Sequence, residues 1–141
     1  MSDEGTLEFV DSNVLVYLHD RSAGSKRQRA RELVSDLWAD RRGCLSIQVL
    51  QEFYVNVTQK VPQPIAAEKA RRLVADLGAW RTHRPALDDV LAAIDLQGRH
   101  QVSFWDALIL RSAGALGCGI VWSEDLSDGQ VYDGVRVRNP F

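Results

Sequence analysis

The sequence predicts an α/β protein, an α/β/α sandwich in which helices cover a central, mainly parallel sheet of four to five short strands. Short apolar segments typical of strands are separated by segments whose apolar residues recur at the three- and four-residue spacing of a helix face. Strands that alternate with helices favour parallel pairing through helical crossovers. The 141 residues form one domain, 1–141, which is long enough to bury a core.

The first predicted strand covers residues 7–10 and ends at Asp11. Asn13 is a residue type that suits the N-cap of the short helix that follows. Residues 26–41 have the apolar spacing of an amphipathic helix, and Gly43 is expected to end it.

The middle of the chain continues this alternation. Residues 44 and 45 form a brief predicted strand, and Ser46 can cap a helix that runs to about Lys60. A further helix reaches Leu77 and is closed by Gly78.

The second half of the chain repeats the pattern. Its predicted elements are a strand over 79–83, a helix from Leu87 or Asp88 to about Gly98, a Ser103-capped helix that stops at Gly117, a strand over 118–122 and a last strand over 135–137.

The amino-acid composition indicates which classes of protein the chain can belong to. The chain is 45% hydrophobic and 26% charged, which is ordinary for a globular protein, and it contains no apolar run long enough to span a membrane. Residues 1–5 are acidic and lack the basic and apolar regions of a secretory signal, so we expect a cytoplasmic location. Cys44 and Cys118 stand apart in apolar surroundings without a histidine at ligand spacing, so we expect two buried, reduced thiols.

The formal net charge of −2 gives no overall basic footprint for nucleic acid, but the basic residues are mostly arginine. The predicted helix over 26–42 carries five arginines, which either contact phosphates or form a solvated face with the interleaved acids. Arg81 and Arg84 beside Trp80 form a second candidate patch, although Trp80 is expected to be packed. We also expect Trp38, Trp105 and Trp122 to be core residues, and the histidines His19, His83 and His100 to have structural or surface roles.

Four acidic residues occupy positions where chemistry is common. Asp11 and Asp125 each follow a predicted strand, and the carboxyl ends of parallel strands are where α/β sheets bind ligands. Glu52 flanks the apolar stripe of its helix, and Asp106 lies in the first turn of the Ser103-capped helix. Taken singly, Asp11 or Asp106 could cap a helix, Glu52 could be solvated and Asp125 could belong to a turn.

Carboxylates close to buried residues are costly unless a cation offsets them. Magnesium prefers oxygen ligands and suits a few carboxylates plus a substrate phosphate, where it can activate water for phosphodiester hydrolysis. The spacing of the acids therefore indicates a candidate metal-dependent hydrolase.

Four segments in this order resemble the PIN-domain family of nucleases. They are residues 9–17 (FVDSNVLVY), 46–54 (SIQVLQEFY), 103–109 (SFWDALI) and 123–126 (SEDL). The first is similar to the family's strand leading into Asp-x-Asn, the second to the helix that presents its glutamate, the third to its Asp-Ala motif and the fourth to its Thr/Ser-x-Asp turn. The resemblance covers nearly the whole chain, and Ser123 stands where threonine is common.

The resemblance implies a ribonuclease dependent on Mg²⁺ or Mn²⁺ that acts as a VapC-like toxin of a bacterial toxin–antitoxin pair. The implied catalytic and metal-binding residues are Asp11, Glu52, Asp106 and Asp125, supported by Asn13 and Ser123. Asp125 fits the register better than Glu124, and we expect it to act through water beside a core of the other three acids. The implied partners are an RNA substrate, a cognate antitoxin and a second copy of the chain in a homodimer.

Two other protein classes in which an aspartate follows the first strand do not fit this sequence. A phosphoacceptor receiver domain needs a lysine after a late strand, whereas the last lysine is Lys69, and a dehalogenase-like phosphatase needs an aspartate where Asn13 stands. The open alternative is a non-catalytic PIN-like binding module that acts through a protein partner. The presence of all four acids favours catalysis.

Overall fold

The computed structural model of the protein describes residues 6–141, so the expectation for residues 1–5 lies outside the described part of the chain. The strands are β1 (Glu8–Val10), β2 (Gly43–Ser46), β3 (Arg81–His83), β4 (Ile120–Trp122), β5 (Val131–Tyr132) and β6 (Val135–Arg138). The helices are α1 (Ser12–His19), α2 (Ser25–Asp40), α3 (Ile47–Val55), α4 (Ala67–Leu77), α5 (Leu87–His100) and α6 (Phe104–Ala115). A π-helical turn, Asn56–Lys60, extends α3.

The six strands form one sheet in the order β3-β2-β1-β4-β6-β5. Every neighbouring pair is parallel except the β5–β6 hairpin, which confirms the predicted α/β class with a mainly parallel sheet. The predicted number of four to five strands was wrong because β5 has only two residues, too few to show an alternating pattern. Its turn to β6 uses Asp133 and Gly134 at φ 48° and 86°, the positive values that tight hairpin turns need.

The connections distribute the helices over the sheet. The chain moves from β1 to β2 to β3 in one direction and then crosses back to β4 on the far side of β1. Right-handed crossovers therefore place α1 to α4 on one face and α5 and α6 on the other. Helix packing agrees, since α1 contacts α2 and α3, α3 contacts α4, and α5 contacts α6.

The core lies on both sides of the central strands. Phe9 and Val10 of β1 and Val121 of β4 are fully buried, as expected for parallel strands covered on both faces. Among the described residues, no helix is both long and apolar enough to cross a membrane.

The ends of several helices differ from the expectations. Asp11, not Asn13, caps α1, and α2 ends at Arg41 in the left-handed region rather than at Gly43. Gly43 instead lies inside β2, where a Cβ atom would stand 2.5 Å from the Trp80 ring. Ser46 and Ser103 cap α3 and α6 as predicted, through bonds from the amides of Val49 and Asp106.

This topology decides where a ligand site can form. β1 lies between β2, which follows it in the chain, and β4, which arrives from the opposite direction. The carboxyl ends of β1 and β4 thus flank the point at which the strand order reverses, and such points are where open α/β sheets bind ligands. Asp11 and Ser123 are the first residues after these two strands.

Candidate active site at the carboxyl edge of the sheet

Asp11 is the buried centre of the site. Its side chain is only 4% exposed. One carboxylate oxygen, Oδ1, accepts a bond of 2.7 Å from the amide of Ser12, and Oδ2 accepts one of 2.8 Å from the hydroxyl of Ser123. The first turn of α1 and the end of β4 together hold this carboxylate in place.

Asn13 and Ser123 join the two strand ends through hydrogen bonds. The Asn13 amide nitrogen lies 3.3 Å from Asp11 Oδ2, 3.3 Å from Ser123 Oγ and 3.2 Å from Asp125 Oδ2. The Asn13 oxygen accepts a bond from the amide of Glu124. One side chain of α1 therefore positions the turn after β4 and the carboxylate of Asp125.

Glu52 is brought to the same edge by α3, which begins directly after β2. Its Oε2 accepts a bond of 3.2 Å from the hydroxyl of Ser12, and its Oε1 accepts one of 2.8 Å from Gln48. The Gln48 nitrogen also donates to the carbonyl of Trp105, the residue before Asp106. Gln48 thus ties the Glu52 helix to the start of α6.

Ser12 and Gln48 were not identified from the sequence as site residues. Two local signals were available. Ser12 directly follows Asp11, and Gln48 precedes Glu52 by four residues, the spacing that places two side chains side by side on a helix.

Asp106 lies at the start of α6 with its backbone amide bonded to the cap residue Ser103 at 3.1 Å. The side chain is half-buried. Burial raises the pKa of the Asp106 carboxyl, and the charge of Asp125 raises it further against the opposing effect of Ser103. Asp106 is therefore close enough to Asp125 for their charges to interact.

The two acids in the turn after β4 have different environments. Glu124 is bonded by the Lys26 ammonium and, at 2.5 Å, by the Tyr17 hydroxyl. Burial alone would raise the pKa of Glu124, but these two donors outweigh it and the net shift is downward. Asp125 is exposed and accepts a bond from Asn13. Glu124 is engaged in its own ion pair, whereas Asp125 faces the other acids.

The pKa of Asp11 and the salt bridges of the described residues show that the acidic cluster has no positively charged side-chain partner. Burial raises the pKa of Asp11 to about 7, with smaller upward contributions from the charges of Glu52 and Asp125, against the bonds from Ser123 and Ser12. Within residues 6–141, no Lys, Arg or His forms a salt bridge with Asp11, Glu52, Asp106 or Asp125. The four carboxylates therefore have no cationic side-chain partner within the described residues.

The four acids of the site, Asp11, Glu52, Asp106 and Asp125, affect one another through their charges. Their carboxylates lie too far apart to bind one ion together. In the described part of the chain, no group of three His, Cys, Asp or Glu side chains converges closely enough to hold an ion together. Neutral donors link some of these acids instead. Asn13 reaches both Asp11 and Asp125, and Ser12 reaches both Asp11 and Glu52.

Several other expectations can be compared with the structure. Cys44 and Cys118 are buried free thiols, as predicted, and Trp80 is packed. The prediction of core positions for Trp38 and Trp105 was wrong, since they are 46% and 64% exposed. Trp38 lies near the end of α2 against Trp80, and Trp105 lies in the first turn of α6 with its ring edge-on to Phe104.

The arginines of the 26–42 segment are not equivalent. Arg42 is paired with Glu8 and Asp40, and Arg29 donates to the carbonyl of Pro140. These two side chains stabilise the fold. Arg27 donates to the carbonyl of Leu18 and, unlike them, also borders an open cleft.

Comparison with known proteins agrees with this geometry. The model of the PIN domain family matches residues 9–127. The chain has the fold of VapC20 of Mycobacterium tuberculosis, a toxin that cleaves the sarcin-ricin loop, with a TM-score of 0.65, 19% identity and coverage of 84% of this chain and 89% of the other.

Two toxin–antitoxin structures are also similar. A complex from Klebsiella pneumoniae gives a TM-score of 0.71 at 17% identity, covering 95% of this chain and 98% of the other. The DNA-bound VapBC of Salmonella typhimurium gives 0.69 at 15% identity, covering 96% and 99%. The comparison with curated proteins produced no match. Because the family match spans most of the chain and includes the strand that ends at Asp11, the helix of Glu52, Asp106 and Asp125, this chain belongs to the PIN domain family.

Proposed function

We propose that the protein is a metal-dependent endoribonuclease that hydrolyses RNA phosphodiester bonds as the toxin of a toxin–antitoxin pair. The observation that carries the proposal is the cluster of Asp11, Glu52, Asp106 and Asp125 at the switch point of the sheet, with Asp11 buried and without a cationic side chain. Buried carboxylates that the protein does not neutralise are typical of sites that bind a hard divalent cation.

The donor set fits Mg²⁺ or Mn²⁺. Every candidate ligand is a carboxylate oxygen, and soft ligands such as thiolates are absent from the cluster. Asp11, Glu52 and Asp106 would hold the ion, with Asp125 assisting through water. When bound, such an ion supplies positive charge that stabilises the transition state and favours ionisation of the attacking water.

Neighbouring side chains orient the carboxylates that would hold the ion. Ser12 and Ser123 orient the Asp11 carboxylate, and Ser12 and Gln48 orient that of Glu52. These bonds fix two negative charges before substrate arrives, so binding requires little rearrangement.

Asp125 is the acid of the site that is most open to RNA. It is exposed, whereas Glu52 and Asp106 are partly buried and Asp11 is buried. Asp125, which would assist the ion only through water, is placed to accept the proton that water loses as it attacks the phosphorus. The leaving ribose oxygen then takes a proton from solvent.

The biological assignment rests on similarity. The neighbours in the Klebsiella and Salmonella structures are a toxin–antitoxin complex and a VapBC complex. By analogy, we propose that this chain is controlled in the cytoplasm by a cognate antitoxin protein and acts as a homodimer.

RNA cleavage by purified protein freed of any antitoxin tests the activity. We expect the wild type to cleave single-stranded RNA with manganese, and Asp11→Asn or Asp106→Asn to lower the rate by a factor of about 100 or more. Asp76→Asn, which changes an exposed carboxylate on α4, is the matched control and should retain activity. If no metal supports cleavage, or if the site variants cleave as well as the control, the chain is a binding module rather than a nuclease.

A further inference from the structure

A second candidate site is a basic cleft of about 350 Å³ at the carboxyl end of α1. Its polar lining comes from the end of α1, the loop that follows it, the start of α2, the segment before α4 and the first turn of α4, and consists of His19, Arg21, Arg27, Gln63 and Lys69. The same cleft is bordered by Ile65, whose amide bonds the carbonyl of Val57 at 2.9 Å and so anchors that segment.

The charged residues that line this basic cleft are all positive. None of its lining residues is acidic. Within residues 6–141, Arg21, Arg27 and Lys69 form no salt bridge with any carboxylate. Three permanent positive charges thus share one small cleft in a protein whose formal net charge is −2. Their mutual repulsion would be relieved by an anion.

His19 reports how closely these cations approach one another. Its ring is held edge-on to Phe53, with the centroids 5.7 Å apart. Burial lowers the pKa of His19, and the charges of Lys69 and Arg27 lower it further. Lys69 and Arg27 therefore both face the imidazole, although they belong to different helices.

Three pairs of residues near in sequence connect the basic cleft to the acidic edge. Lys26 binds Glu124 at the edge, and the next residue, Arg27, lines the cleft. Tyr17 also binds Glu124, two residues before His19, and Phe53 follows Glu52. The cleft and the acidic edge are therefore linked through helices α1, α2 and α3, and an RNA strand longer than one nucleotide could contact both.

We propose that this basic cleft binds a backbone phosphate of an RNA strand whose scissile phosphodiester lies at the acidic edge. The inference rests on the proposed ribonuclease function and adds a subsite to it. Guanidinium and ammonium groups are the usual partners of phosphate oxygens, and the Gln63 amide can donate a further bond. A phosphate held here would fix the position of the strand without reading its sequence.

The test compares two double variants with the same change in charge. Arg21→Gln with Lys69→Gln removes two cations from the cleft, and neither side chain makes a hydrogen bond within the described residues. Arg31→Gln with Arg72→Gln removes two exposed cations elsewhere on α2 and α4. Binding of a fluorescent single-stranded RNA is measured in EDTA, over a series of salt concentrations, so that cleavage does not contribute.

We expect the cleft variant to bind RNA on the order of tenfold more weakly and to lose about 0.7 from the slope of log affinity against log salt, as for one phosphate contact. The control should change affinity by less than about twofold, as expected for screened surface charges. Equal effects of the two variants, or no effect of the cleft variant, would overturn the proposal.

A second measurement separates the possible sources of the anion. In nuclear magnetic resonance spectra of the wild type, RNA should shift the imidazole signals of His19 and leave those of His83 and His100 in place. A shift with inorganic phosphate but none with RNA would assign the cleft to a small anion and refute the RNA subsite. Unchanged RNA affinity with lost binding of an antitoxin would assign it to a protein.

The experiments distinguish a failure of the ribonuclease proposal from a failure of the subsite proposal. If the wild type binds RNA through the cleft but does not cleave it with manganese, the subsite is supported and the nuclease function is not. If it cleaves RNA and the cleft variant binds and cleaves normally, only the subsite is refuted.

Discussion

At the scale of single residues, the four acids of the site differ mainly in how far water reaches them. Asp11 is buried, Glu52 and Asp106 are partly buried, and Asp125 is exposed. The buried carboxylate is the most expensive to ionise and therefore gains most from a bound cation. The exposed one is the most available to substrate.

The stability of the metal-free protein should show the cost of the Asp11 charge. The pKa of Asp11 is about 7 in the folded state against an ordinary 3.8, so the folded state keeps a proton that the unfolded state releases between these values. The free energy of unfolding therefore falls as pH rises through this range. Asp11→Asn removes the charge but keeps a side chain that caps a helix well.

We expect Asp11→Asn to be more stable than the wild type in EDTA above about pH 7, by on the order of 2–4 kcal/mol, and to lose this advantage near pH 4. Urea unfolding at a series of pH values measures it, with the exposed-site variant Asp76→Asn as control. A stability difference that does not vary with pH would show that the Asp11 charge is not the cause.

Glu124 and Asp125 provide a second prediction at this scale. Glu124 is occupied by Lys26 and Tyr17, whereas Asp125 is positioned by Asn13 beside the other acids. Asp125→Asn should lower the rate of RNA cleavage by about tenfold or more, and Glu124→Gln should keep it within about threefold. The opposite order in the two rates would identify Glu124 as the functional acid.

At the scale of secondary structure, the site depends on where strands end and helices begin. Asp11 follows β1 and caps α1, while Ser46 and Ser103 fix the starts of the helices that carry Glu52 and Asp106. These local signals are why the sequence predicts the starts of α3 and α6 more reliably than it predicts the end of α2 or the strand β5.

Gly43 illustrates a constraint between elements. The Trp80 ring packs over this residue of β2, and a Cβ atom there would overlap it at 2.5 Å. Gly43→Ala should therefore lower the free energy of unfolding by about 1–3 kcal/mol. In Gly98→Ala, the matched control on α5, the new methyl group meets nothing within 4 Å and should stabilise the helix by up to about 1 kcal/mol. Equal unfolding midpoints for Gly43→Ala and the wild type would show that the ring moves aside without cost.

At the scale of the whole molecule, metal binding should be coupled to folding, because Asp11, Glu52, Asp106 and Asp125 come from distant parts of the chain and meet only in the folded state. Manganese at about 100 times its dissociation constant should raise the free energy of unfolding by about 2.7 kcal/mol. Thermal unfolding of the wild type and of Asp11→Asn with Asp106→Asn measures this, and the double variant should not respond. An equal response in both would place the metal elsewhere.

The sequence by itself determined the α/β class and most of the elements, and it identified four acids as a candidate site that stays a prediction. Hydrophobic spacing is a local property, and the strand end at Asp11 and the helix start at Asp106 are visible within a few residues. The two serine caps, the buried cysteines and the packed Trp80 could be anticipated for the same reason.

Only the tertiary structure decided how residues from separate segments meet. It brought Ser12 and Gln48 into hydrogen-bond contact with Glu52 and left Trp38 and Trp105 exposed. It gave Glu124 and Asp125 different hydrogen-bond partners. It also gathered Arg21, Arg27 and Lys69 into one cleft. Such contacts depend on how helices cross the sheet, and sequence spacing carries no information about the distance between side chains that are far apart along the chain.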